Sequence, residues 1–259
     1  SLLEQPGPGP LGTGLPFAIA AGLYVVTTSL GVILLEEPAE EVEARRASRT
    51  SLDLESIRSQ LARPAVRLMC ALFFAYTIAV TILEATFYLY AEAVFGFAEK
   101  EVGFIFAGFG LLMAIVQGGV GRISSRVGDR AMTGMGIAML TAGLIISTVY
   151  GPLWFLLAFL GLATVGRALV HPGTLSLTSN LSEESSETGK IMGVLQSSGS
   201  LARVVGPGIG GLLFTHVTVQ APFIVAGAVL GCAGVAWWVL SGRESIRLRL
   251  TGHSAGRSN

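Results

Sequence analysis

The sequence predicts an all-helical membrane protein with seven transmembrane helices. Hydrophobic residues make up 51% of the 259 positions and charged residues only 13%, whereas a soluble domain carries about 25% charged residues. The mean hydropathy is +0.66. The charges are clustered, and the apolar runs between them reach the length of about 20 residues that a helix needs to cross a bilayer. These runs are 15–35, 66–91, 102–121, 131–150, 152–178, 191–215 and 219–240.

The composition also excludes several classes of protein. Short alternating segments typical of membrane strands are absent from the sequence, and a helix satisfies its own backbone groups in lipid. The formal net charge is zero, so no basic surface for nucleic acid is expected. Cys70 and Cys232 lie inside apolar runs and are predicted to be packing residues. The sequence has no metal-ligand spacing and no nucleophile motif, so we expect neither a cofactor nor an enzyme.

The distribution of lysine and arginine predicts the orientation in the membrane. Basic residues concentrate in alternate loops and in the C-terminal tail: Arg45, Arg46, Arg49, Arg58, Arg63, Arg122, Arg126, Arg130, Lys190, Arg243, Arg247, Arg249 and Arg257. Only Lys100 lies in a loop on the opposite side. Cytoplasmic loops carry such an excess. The sequence therefore predicts a cell-membrane protein with its N-terminus outside and its C-terminus in the cytoplasm.

A weak internal repeat links the two ends of the chain. Pro16-Phe17 and Pro222-Phe223 each follow a polar loop and each open an apolar run. Parallel repeats of this kind occur in transporters built from two similar halves. Chance similarity between helices rich in glycine and alanine is the alternative interpretation.

Two sequence motifs carry a resemblance to a known family. Residues 121–130, with the sequence GRISSRVGDR, are similar to the loop motif G-x-x-x-D-R-x-G-R-R, although Ser125 replaces the acidic residue and Asp129 a basic one. Residues 206–211, GPGIGG, resemble the antiporter motif G-P-x-x-G-G, and 196–203 fit the same helix. Together with the order of loops and spans, these motifs resemble the major facilitator superfamily, in its drug/proton antiporter branch that includes tetracycline-efflux-like proteins.

The resemblance implies a specific domain organisation. The chain would hold helices six to twelve of a twelve-helix transporter, with the five earlier helices missing. Residues 1–35 would form an outer loop and the last helix of the N-terminal half, 36–65 the central cytoplasmic linker, 66–241 the six-helix C-terminal bundle and 242–259 a cytoplasmic tail. A solvated linker is the preferred interpretation of 36–65, and a short amphipathic helix is the alternative.

The resemblance also implies a function. It implies proton-coupled efflux of a small organic molecule by alternating access, with the proton, the substrate, membrane lipid and the missing N-terminal half as partners. A lone half is not expected to transport. The alternatives are a uniporter or symporter of a metabolite with the same fold, a seven-helix receptor, and an inert or regulatory fragment.

The two motifs predict gating and packing elements. Gly121 and Gly128 permit a tight turn, while Arg126 and Arg130 can bond helix C-terminal carbonyls. The resemblance implies that this loop latches one conformation, and the alternative is that its arginines only set topology. In the second motif small residues allow close helix approach and a proline can kink the span. Its members are Gly206, Pro207, Gly210 and Gly211.

Polar residues inside the predicted spans form a candidate proton and substrate site. A charge at the bilayer centre costs about 2.5–3.5 kcal/mol on insertion scales, so such side chains face a cavity or a partner. We predict that they converge on a central cavity: Thr77, Thr81, Glu84, Tyr88, Gln117, Arg167, His171, Gln196 and Arg203.

The charged members have specific hypotheses. Glu84 is the only carboxylate well inside a span, and we expect it to carry the proton or to bind a cationic substrate; a structural ion pair is the alternative. Arg203 is expected to serve structure and gating, paired with a carboxylate of the missing half or with an anionic substrate. Arg167 reaches either the cavity or the cytoplasmic surface. His171 is either a packing residue or a titrating group.

Overall fold

The computed structural model describes residues 10–34, 54–149, 151–182 and 185–254. The chain divides into two units, Ser1–Ser51 and Leu52–Asn259. The described part of the first unit is one helix, α1 (Pro10–Leu34). The described part of the second unit consists of α2 (Leu54–Ala62), α3 (Pro64–Phe95), α4 (Glu99–Val127), α5 (Asp129–Ile146), α6 (Leu153–Ser179), α7 (Ser185–His216) and α8 (Ala221–Ser254).

Each of the seven predicted spans coincides with one of these helices. Six helices are long and apolar enough to cross a membrane, namely α1, α3, α4, α5, α6 and α8. The remaining long helix, α7, has 32 residues, a length of about 48 Å at 1.5 Å per residue. It is not among the six because Glu187, Lys190 and Arg203, together with many serines and glycines, lower its hydropathy. Seven crossings therefore remain a prediction.

Two segments are more helical than the preferred sequence interpretation. The end of the predicted linker 36–65 contains α2, as the alternative interpretation expected, and Ile57 and Leu61 of this helix pack against the core. Residues 36–53 of the linker lie outside the described part of the chain. At the other end, α8 continues through Ser254, well into the segment that was predicted to be a tail.

Helix ends follow local backbone rules. Pro64 opens α3 in the first-turn position where its missing N–H is not needed. Gly96 ends the same helix with φ 68°, a left-handed conformation that favours glycine. Gly128, with φ 81°, is the single residue between α4 and α5. It allows the chain to reverse direction there with almost no loop.

The core of the second unit is centred on α3. This helix packs extensively against α7 and α8, while α5 packs against α6 and α8, and α4 lies mainly on α6. Val102 is the one buried residue of α4, so most of that helix presents its apolar side chains outward. Outward apolar side chains suit lipid or another membrane helix.

Small residues set the distance between the packed helices. The backbone carbonyl of Gly166 in α6 lies 2.8 Å from where a Cβ on Gly136 would be. Seven residues further along each helix, Gly143 meets Phe159 and Ala163, and Gly173 meets Thr133. The pairing runs in opposite directions along the two helices, so α5 and α6 are antiparallel and in close backbone contact.

Candidate functional site

An ion pair joins α3 and α6 between two of the apolar spans. Nη1 of Arg167 lies 2.5 Å from Oε1 of Glu84, and the two side chains are 32% and 43% exposed. Only one oxygen of the carboxylate is engaged in this contact. The Nε atom of Arg167 is buried and has no acceptor among the described residues. The guanidinium therefore keeps unused donor capacity.

An aromatic cluster surrounds this ion pair. The His171 ring, one turn after Arg167, lies 5.9 Å from the Phe73 ring and 6.2 Å from the Tyr76 ring, centroid to centroid. The Tyr76 hydroxyl interacts electrostatically with Arg167 and Glu84. Phe73 and Tyr76 are buried. They pack against the His171 ring and hold it in position.

A third helix brings a second arginine to the same place. Arg203 stands on α7 between Gly199, which packs against the Phe73 ring, and Gly206, which packs against Thr81, so it lies beside the stretch of α3 that contains Tyr76. Gln196, Ser200 and Arg203 are exposed on α7, and the spacings of four and three put them on one face. We call Tyr76, Glu84, Arg167, His171 and Arg203 the central cluster.

The other predicted cavity residues lie around or outside this cluster. Thr77 is buried, and its hydroxyl has no partner among the described residues. Thr81 donates to the Thr77 carbonyl at 2.8 Å and lies against α7. Tyr88 is half-buried one turn beyond Glu84, and Gln117 is exposed on α4. Among the described residues, Tyr88 and Gln117 make no hydrogen bond or ring contact with the central cluster.

The glycines of the second motif form the contact between α3 and α7. An added Cβ on Gly206 would collide with the Thr81 side chain, and one on Gly210 would meet Thr86 at 3.0 Å. Gly199, about two turns before Gly206 on α7, lies against the Phe73 ring. Gly211 faces open space, and Pro207 is exposed within a helix that continues through it. The motif therefore holds α7 close to the helix that carries Glu84.

The turn between α4 and α5 contains a carboxylate contact that the sequence did not predict. Both oxygens of Asp129 accept hydrogen bonds, one from the Ser124 hydroxyl and one from the Ser176 hydroxyl. The contact ties the end of α4, the start of α5 and the end of α6 together. Within the motif itself, Gly121 and Arg126 are exposed and Arg130 is half-buried.

A second polar contact lies at the same end of the unit. Nη1 of Arg63 pairs with the Glu187 carboxylate at 2.6 Å, and Nη2 donates to the Leu181 carbonyl at 2.9 Å. It joins the start of α3 to the connection between α6 and α7. No group of three or more His, Cys, Asp or Glu side chains in the described ranges is placed to hold a metal ion.

Comparison with known proteins decides the family. The model of the Major Facilitator Superfamily matches residues 69–256, which include α4 to α8 and most of α3. The chain belongs to the major facilitator superfamily. The multi-pass membrane character of this superfamily agrees with the six helices of the chain that are long and apolar enough to cross a membrane.

Relatives place this superfamily member in the drug-efflux-like branch. The chain is 22% identical over 224 residues to Multidrug resistance protein 2 of Bacillus subtilis, covering 85% of this chain and 55% of that protein. It is 28% identical over 215 residues to the class D Tetracycline resistance protein of Salmonella ordonez, covering 82% of this chain and 53% of that protein. The chain thus spans about half the length of these relatives.

A solved structure confirms the fold of the superfamily member. The crystal structure of the human organic anion transporter MFSD10 (TETRAN) aligns with a TM-score of 0.62 at 24% identity. The alignment covers 66% of this chain and 40% of that one. At this identity the likeness concerns the helical fold alone.

Proposed function

We propose that this chain forms the C-terminal half of a twelve-helix, proton-coupled transporter of a small organic molecule, with α1 as helix six. The Glu84–Arg167 ion pair is the observation that carries the proposal. Two charges between membrane spans are stable only when they face water, a ligand or each other. Their partial exposure supports a position on an open face of α3 and α6, where the other half of a transporter would complete a cavity.

The packing of α7 supports the predicted seventh crossing. Its glycines meet α3 in matching order, with Gly199 against Phe73, Gly206 against Thr81 and Gly210 against Thr86. The two helices therefore run parallel over much of their length. Because α3 is long and apolar enough to cross the membrane, a helix that follows it residue by residue reaches the same depth. The polar face of α7 would then point to the cavity rather than to lipid.

Glu84 is the proposed proton site. It is the one carboxylate of the central cluster, and its partner Arg167 holds it by a single oxygen. Protonation would release the guanidinium, and deprotonation would restore the pair. An element with two such arrangements can bias a transporter towards one of its two open states.

Two senses of coupling remain candidates. Similarity to a multidrug resistance protein and a tetracycline resistance protein favours export in exchange for protons. Co-transport with protons is favoured by a different observation, namely that the central cluster contains two arginines and one carboxylate. A substrate that pairs with Glu84 competes with the proton for that carboxylate. A substrate that binds Arg167 does not compete with the proton.

The first test asks whether Glu84 couples transport to protons. The transporter that contains this chain is reconstituted in liposomes with an imposed pH gradient, and internal pH is followed with pyranine after adding tetracycline, ethidium or 2-naphthoate. We expect Glu84→Gln to lower substrate-dependent proton flux at least about tenfold, since an amide cannot exchange the proton. Glu92→Gln, the same change at an exposed position of α3, is the control. Unchanged flux in Glu84→Gln would exclude Glu84 as the proton site.

A further inference from the structure

The central cluster carries one positive charge in excess. Arg167 and Arg203 contribute two positive charges and Glu84 one negative charge, while His171 is counted as neutral. Two ion pairs occur among the described side chains, Arg63–Glu187 and Arg167–Glu84, and Arg203 belongs to neither. An excess charge of this kind between apolar spans is stable only when it faces water or meets a counter-charge from outside these helices.

The excess charge lies on an accessible surface. Arg203 is exposed on the same face of α7 as Gln196 and Ser200, which offer further hydrogen-bonding groups. On α7 it stands between Gly199 and Gly206, which pack against Phe73 and Thr81 of α3, so it lies beside the part of α3 that contributes Tyr76 to the central cluster. A ligand that enters between α3, α6 and α7 meets this guanidinium together with that of Arg167.

Arg167 can accept a second anion or exchange the first. Its contact with Glu84 uses one nitrogen, and its buried Nε has no acceptor among the described groups. A buried donor without an acceptor costs about 1–3 kcal/mol. A carboxylate brought by a ligand can satisfy this donor, because guanidinium and carboxylate pair through two parallel bonds.

We propose that the central cluster binds an organic anion through Arg203 and Arg167, in competition with Glu84 for Arg167. The inference rests on the proposed transport function and names the chemical class of its substrate. It also fixes the coupling. Protonation of Glu84 frees Arg167 for the anion, and by reciprocity the bound anion favours protonation of Glu84. Proton and anion therefore bind together and travel in the same direction.

The charged and titratable surroundings of Glu84 are few. Arg167 of α6 contacts it, His171 follows one turn later on α6, Arg203 lies on α7, and Tyr76 lies on its own helix. The packed stretches 102–121 of α4 and 221–240 of α8 contain no Asp, Glu, Lys, Arg or His. Competition for Arg167 is thus the main route by which Glu84 and a bound anion can influence each other.

The test measures binding to the whole transporter that contains this chain, held in lipid nanodiscs, by titration calorimetry. The probes share one shape and differ in charge: 2-naphthoate, 2-naphthamide and 2-naphthylmethylammonium. We expect 2-naphthoate to bind at least about tenfold more tightly than the other two. Arg203→Gln should weaken its binding about tenfold, and Glu84→Gln should strengthen it about threefold. Arg58→Gln, the same change on the exposed side of α2, should alter nothing.

The opposite signs of the two expected effects make the test decisive. A variant that only damages the fold weakens binding, so stronger binding in Glu84→Gln has no such explanation. Arg203→Lys keeps the charge and should restore part of the affinity. Equal binding of the three probes, no binding of 2-naphthoate, or weaker binding in Glu84→Gln would overturn the anion assignment. A preference for the cation that depends on Glu84 would also overturn it, yet would leave the proposed proton-coupled transport standing.

Discussion

Asp129 shows how a single side chain can join three helix ends. Its carboxylate accepts from Ser124 at the end of α4 and from Ser176 near the end of α6, and it begins α5. Hydrogen bonds to charged groups contribute about 1.5–3 kcal/mol each, and a negative charge is favoured at a helix N-terminus. We expect Asp129→Ala to lower the free energy of unfolding by about 2–3 kcal/mol, measured by denaturant unfolding in detergent.

Two further variants define the role of this carboxylate. Asp129→Asn keeps one acceptor oxygen and should lose about half as much stability. Ser125→Ala is the control, since Ser125 is exposed and its hydroxyl only bonds the Arg122 carbonyl of its own helix. Equal stability of Asp129→Ala and Ser125→Ala would show that the two serine contacts do not hold these helix ends.

Sequence patterns indicated the charged residues of the candidate site but not all of their neighbours. Glu84, Arg167 and Arg203 stand out because ionisable residues are rare within apolar spans. Tyr76 gives no such signal, since tyrosine is common in membrane helices and only tertiary packing brings it close to Arg167. Asp129 was interpreted as a lost basic position of a motif. Its use as an acceptor depends on Ser176, which is 47 residues away in sequence.

Close packing between α5 and α6 predicts that replacing a glycine at their contact destabilises the protein. A Cβ on Gly166 would fall against backbone atoms of Gly136 and Leu140, which cannot move as a flexible side chain does. Overpacking of this kind costs about 1–3 kcal/mol. We expect Gly166→Ala to lower the melting temperature in detergent. Gly161→Ala on the same helix meets only a Leu112 methyl group at 3.8 Å, so it should leave the melting temperature unchanged or raise it.

The positions of the helices were predictable from apolar runs. The sequence did not reveal which helix packs against α7. The runs mark every long helix because each span must satisfy its backbone within lipid. Hydropathy fails for α7, whose polar face and glycines dilute the apolar signal. The glycine spacing at 199, 206 and 210 carried the missing information, because it predicts a close neighbour, but only the structure identifies that neighbour as α3.

Polar contacts of the second unit place several helix ends on one side of the molecule. The Arg63 contacts join the start of α3 to the end of α6 and the start of α7. The Asp129 contacts add the end of α4 and the start of α5. These are the ends where the sequence has most of its arginines, and Lys100 lies in the first turn of α4, at the other end. Which of the two ends faces the cytoplasm stays a prediction from the distribution of basic residues.

Site-directed labelling tests that orientation in the whole molecule. In a chain with Cys70→Ala and Cys232→Ala, a new cysteine replaces either Ser125 or Lys100, both of which are exposed. If the arginine-rich ends are cytoplasmic, an impermeant maleimide added to intact cells should label Lys100→Cys and spare Ser125→Cys until the membrane is opened. An exposed position on α2, Arg58→Cys, should behave like Ser125→Cys because α2 leads directly into the start of α3. Labelling of Ser125→Cys from outside, with Lys100→Cys protected, would reverse the orientation. Labelling of all three positions from outside would contradict a single crossing between position 100 and each of the other two, and the transporter proposal depends on those crossings.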